Sequence, residues 1–116
     1  MTKATRSHLS LPRSGRDGLA QLGRDLSLAR RRRRIPVRRM AERMRVSPTT
    51  VTRLERGDPG VSIGVLMTAL WLFGMQDRLA TLVAPENDAV GQIASIEATP
   101  QRIVAAAGRD NDVPDF

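Results

Sequence analysis

The sequence predicts an all-α fold: five helices in one small domain, between a flexible N-terminal arm and a C-terminal tail. Three observations predict it. Apolar residues recur at three- and four-residue steps, the period of one helix face. Proline and serine starts and glycine stops bracket those runs. Aromatic residues make up only 3% of the 116-residue chain, fewer than a sheet-rich fold usually draws on.

Residues 1–17 are polar and basic, contain Pro12 and Gly15, and show no period, so they read as an arm. From Gly18, the recurrence of Leu19, Leu22, Leu26 and Ala29 predicts a first helix to about Arg33. It ends in a run of arginines over 30–34, and cations suit the C-terminal end of a helix dipole. Ile35-Pro36 breaks the pattern and starts a second helix at 36 or 37, with Met40, Ala41 and Met44 on its apolar face. Arg45-Val46 leaves room only for a tight turn. Ser47 is then a good N-cap, and Pro48 suits the first position of a third helix. Val51 and Leu54 face inward from it, and Gly57 stops it. Ser62 caps a fourth helix over 63–73, apolar nearly all round, with Gly74 beyond its end. A short fifth helix follows over 77–83. Residues 85–116 read as a mobile acidic tail with at most a turn or two of helix. The domain is thus expected over 18–84.

Charge divides the chain. The net charge is +7, made of +11 in residues 1–60 and −4 in residues 61–116. A basic half joined to an acidic half points to a polyanion partner for the first, and nucleic acid leads. Other classes drop out on composition. There is no cysteine and a single histidine, His8, so disulfides, zinc clusters, cysteine nucleophiles and Ser-His-Asp machinery are not expected. No cofactor or metal is implied, and the chain does not read as an enzyme. No apolar run reaches the roughly 20 residues of a membrane span, and no signal peptide is visible. A cytoplasmic protein is expected, on the nucleoid when bound to DNA.

The second and third helices, joined by a three- or four-residue turn, can pack as a helix-turn-helix. The small Ala41 lets them approach, and Met40, Met44, Val46, Val51 and Leu54 supply buried contacts. The third helix then projects Thr49, Thr50, Thr52, Arg53 and Arg56, side chains able to reach base edges and phosphates in a major groove.

Residues 37–57 (VRRMAERMRVSPTTVTRLERG) resemble the helix-turn-helix of the Xre/Cro, lambda-repressor-like family. The resemblance covers about 18–84 and implies a five-helix lambda-repressor-like DNA-binding domain. It implies an ion pair between Arg30 and Glu55. It also implies base contacts from Pro48, Thr49, Thr52 and Arg53, and phosphate contacts from Ser47 and Thr50. Two positions depart from the family pattern. Where the family opens its second helix with Ser/Thr then Gln, this chain has Pro36-Val37, so the phosphate contact of that Gln is lost or passes to Arg34, Arg38 or Arg39. Where the family favours a glycine in the turn stands Arg45, and a non-glycine residue in the left-handed region costs about 1 kcal/mol.

The stretch 57–91 is similar to the HipB-type branch, regulators that act as antitoxins of HipA-like kinases. The similarity rests on Asp58-Pro59-Gly60-Val61-Ser62, Trp71, Asp77-Arg78-Leu79 and the Pro85-x-Asn87-Asp88 run. What this implies is a homodimeric repressor on an inverted repeat of double-stranded DNA, autoregulating its own operon and neutralising a kinase. The apolar fourth helix, through Val65, Ala69 and Leu72, is expected to form the two-fold contact, and Trp71 belongs either there or in the core. A stand-alone Xre-family repressor without a toxin is the alternative within the class. A protein–protein adaptor module is the alternative outside it.

Overall fold

The structure, a computed structural model, describes residues 10–98 and is all-helical, with no strand among them. The expected tail segment 109–116 and most of the arm lie outside the described residues. Among the described residues six α-helices follow one another: α1 Arg13–Arg32, α2 Val37–Met44, α3 Pro48–Glu55, α4 Ile63–Leu72, α5 Gln76–Ala80 and α6 Ala89–Ala98, with a 3₁₀ turn at Pro85–Asn87 before the last. The chain falls into two compact units that meet between Leu79 and Ala80.

The first unit is built on α1 to α4. Its core is Leu26 from α1, Met40, Ala41 and Met44 from α2, Val51 and Leu54 from α3, and Ala69, Leu70 and Phe73 from α4 and its end. Met40 and Val51 are wholly enclosed. Ala41 is also buried, as a close α2–α3 crossing needs.

The starts of α3 and α4 follow the sequence signals. Ser47 caps α3 by accepting a hydrogen bond from the Thr50 amide, and Ser62 caps α4 by accepting one from Val65. Each such cap contributes about 1 kcal/mol. Helix ends share one device. The chain turns left-handed just past α1, α2, α3 and α4, at Arg34 (φ 55°), Arg45 (φ 58°), Gly57 (φ 75°) and Gly74 (φ 74°). At each end two amides fold back onto the last turn. The amides of Ile35, Val46, Asp58 and Met75 donate to the carbonyls of Arg30, Ala41, Arg53 and Leu70. This is the Schellman closure, which satisfies carbonyls the helix leaves orphaned. Gly57 and Gly74 adopt that backbone freely, whereas Arg34 and Arg45 adopt it against the preference of their Cβ atoms.

Four placements differ from the sequence expectation, the first being the fifth helix, which ends at Ala80 rather than at 83. Helix α1 begins at Arg13, five residues before Gly18, although its first turns carry no apolar face to announce it. Trp71 is 60% exposed and so is not a core residue. In the second unit, 89–98 forms a ten-residue helix where a turn or two was expected. Asp88 starts it, its Oδ1 accepting the Gly91 amide at 2.9 Å. That helix exposes Val90, Ile93 and Ile96.

Candidate nucleic-acid interface

The orientation of α3 is fixed from behind. Gly23 of α1 lies so close to the end of α3 that a Cβ there would sit 2.3 Å from the Glu55 carbonyl oxygen. Gly57 meets the α1 backbone in the same way, with a Cβ falling 2.4 Å from the Leu19 carbonyl oxygen. Only hydrogen at both positions permits this backbone-on-backbone contact.

Beside it runs the ion pair that the family resemblance implies. Arg30 Nε and Nη2 donate to the two carboxylate oxygens of Glu55 at 2.7 and 3.1 Å, and Nη1 donates to the Ile35 carbonyl at 3.0 Å. Both side chains are nearly enclosed, at 12% and 11% exposure. The bidentate geometry ties α1 to α3, and the third bond ties in the α1–α2 connection at Ile35.

The outer face of α3 is what this scaffold presents. Ser47, Pro48 and Thr49 are exposed, and Thr50, Thr52 and Arg53 are half-buried. The Ser47 and Thr50 hydroxyls lie 3.0 Å apart in a mutual hydrogen bond, and the Thr52 hydroxyl donates to the Pro48 carbonyl at 3.2 Å. These hydrogen bonds tie the three side chains to the start of α3. Arg53 is held too, by an ion pair absent from the sequence reading: its Nε lies 2.8 Å from Asp58 Oδ2. The hydrogen bond and then the charge of Asp58 raise the Arg53 pKa further, so this arginine is permanently cationic.

Arg38 and Arg39, in the first turn of α2, are exposed, as are Arg34 and Arg45 at their left-handed positions. The arginine run over 30–34 divides. Arg30 belongs to the internal ion pair. Arg33 stacks over the Phe73 ring at 4.7 Å and donates to the Ala29 and Phe73 carbonyls, so it clasps α4 rather than facing solvent with every donor. Such clasps join residues 40 apart in sequence, beyond any local pattern.

For the surface expected on α4, Val65 and Leu72 are half-buried against the core, and Ala69 is completely buried. Ala69 therefore belongs to the interior of the protomer. The large side chains that α4 exposes are Ile63, at 76%, and Trp71.

Two short helices crossing over a buried alanine, the second capped and projecting polar and cationic side chains, define a DNA-binding helix-turn-helix. A family model described as a helix-turn-helix domain matches residues 21–82. The match spans more than half of the chain, and the protein belongs to this family, of the Xre/Cro-like type. No curated protein and no solved structure matched.

Proposed function

We propose that the protein is a sequence-specific transcriptional repressor, a homodimer that binds an inverted repeat in double-stranded DNA. The observation that carries this reading is the presentation of α3: Thr49, Thr52 and Arg53 on a helix locked from behind by Arg30–Glu55 and capped by Ser47. Base edges are read by Pro48, Thr49, Thr52 and Arg53. Ser47, Thr50, Arg38 and Arg39 engage phosphates, which set register and affinity. Dimerisation is supported by Ile63 and Trp71, two large apolar side chains on one helix that stand exposed among the described residues. It places two α3 helices about 34 Å apart, one turn of duplex.

The experiment is a salt titration of binding to duplex DNA. A dimer neutralising about 6–10 phosphates loses roughly 10³–10⁵ in affinity between 50 and 200 mM salt. A flat titration, or no binding at low salt, refutes the reading and favours a protein–protein adaptor.

The narrower reading is an antitoxin of the HipB type, autoregulating its operon and holding a HipA-like kinase inactive. It is supported by the run Asp58 to Ser62 together with the exposure of Trp71. Inhibition of the kinase encoded beside it is the expected result. A lone gene, or an uninhibited kinase, leaves a stand-alone repressor.

A further inference from the structure

An acidic side chain on the DNA-facing edge of a basic domain works against affinity for a polyanion. Of the five acidic residues among 1–60, Asp58 is the one bonded to a side chain assigned to base reading. It is held by its backbone and its side chain alike. Its amide donates to the Arg53 carbonyl at 3.1 Å, and its carbonyl accepts the Val61 amide at 3.2 Å. Oδ1 accepts the Gly60 amide at 2.7 Å, and Oδ2 accepts Arg53 Nε at 2.8 Å. Nothing in that arrangement needs Arg53 for the loop to close, because the Gly60 and Val61 bonds close it.

What the fourth bond does is choose an edge of the guanidinium. Arginine offers two bidentate edges, one including Nε and one made of Nη1 and Nη2. With Nε taken by Asp58, the remaining edge is Nη1/Nη2, which no other described residue engages. The side chain remains 42% exposed, and both Nη donors are left without a hydrogen bond to any described residue. Two coplanar donors match the O6 and N7 acceptors of guanine, the pair by which the major groove distinguishes that base.

We propose that Asp58 is a positioning residue for sequence reading, fixing the Arg53 guanidinium so that its Nη1/Nη2 edge meets a guanine in the major groove. The inference rests on the DNA-binding reading above. Asp58 itself touches no base. It exchanges raw affinity for discrimination at one base pair.

The test selects duplexes from a random-sequence pool with the wild-type protein. Affinities are then measured for the selected duplex, for the same duplex with that guanine pair replaced, and for unselected DNA. The wild type prefers guanine at one position per half-site by about 5- to 150-fold, the range of one good bidentate contact. Asp58→Asn keeps an oxygen for the Gly60 amide and removes the charge. It loses most of that preference while binding unselected DNA as tightly as the wild type or more tightly. A merely structural role lowers both affinities together. Arg53→Lys is the second variant. It keeps the cation but lacks the planar edge, so it loses the same preference with the salt dependence unchanged. Retention of the full preference by Asp58→Asn overturns the proposal. So does an equal gain on all three DNAs, which would make Asp58 a simple mask of the Arg53 charge. If the wild type enriches no sequence at all, the DNA-reading function falls first and this inference with it.

Discussion

Replacing Glu55 with alanine isolates the interaction that aims α3. In the native protein the Arg30 guanidinium has two bonds to Glu55 and one to the Ile35 carbonyl. The substitution removes two of the three and leaves a cation that is 12% exposed without its counter-charge. Breaking a buried ion pair from one side costs about 3–5 kcal/mol. The sliver of solvent access lets water recover part of that, so about 3 kcal/mol is expected. For a domain of this size each kcal/mol moves Tm by about 4–8 °C, which places the fall at roughly 12–24 °C. Urea titration followed by far-ultraviolet circular dichroism measures it, with an unchanged m-value required for a pure stability effect. The double variant Arg30→Met, Glu55→Leu removes the stranded charge and recovers most of the loss, since apolar replacements of buried pairs are often neutral. A single variant within about 0.5 kcal/mol of wild type, an ordinary surface-site value, refutes the reasoning. A double variant as unstable as the sum of its parts refutes it equally.

Further expectations come from the backbone and the exposed apolar surface. Gly23→Ala gains about 1 kcal/mol of helix propensity, but its Cβ would meet the Glu55 carbonyl, so calorimetry should show net destabilisation; a rise in Tm would mean the close contact yields easily. Arg45→Gly relieves the left-handed residue and should raise stability by about 1 kcal/mol, read as a higher urea midpoint, while weakening DNA binding through one lost cation. Trp71→Glu places a charge on exposed α4 surface and should shift sedimentation towards monomer with little change in Tm; a dimer that persists would move the two-fold contact elsewhere.

The parts of the fold that the sequence made legible are those with local signatures. Serine caps with a following proline or apolar run placed the starts of α3 and α4, and glycine placed their ends. Spacing alone put Met40, Met44, Val51 and Leu54 inside. Where signatures were missing or overridden, the reading fell short. Helix α1 starts on Pro12, with no side-chain cap and two glycines in its first six residues, so its beginning was invisible. Helix α6 did carry signals, in Asp88 three residues ahead of a helical amide and in the spacing of Val90, Ile93 and Ile96. The small and polar residues between them masked it. On the interface, the outward face of α3 followed from helical geometry. The Arg53–Asp58 pair did not, because it spans a turn whose path depends on Gly57. Ala69 was misjudged for a related reason. A helix apolar on all sides gives no clue to which side meets its own domain, and the core closes over the small Ala69.

The contact of α1 with α3 through Gly23 and Gly57 has a bearing on how such a protein can change. Because main chain rests on main chain, the pitch of α3 owes little to the side chains on its outer face. Thr49 and Thr52 can be exchanged without retuning the scaffold, as type is changed in a press whose bed stays fixed. Arg53 is the exception, since its setting belongs to Asp58. On the proposed reading of α3, a lineage or an engineer seeking a new operator would find two letters free and a third that moves only with its neighbour.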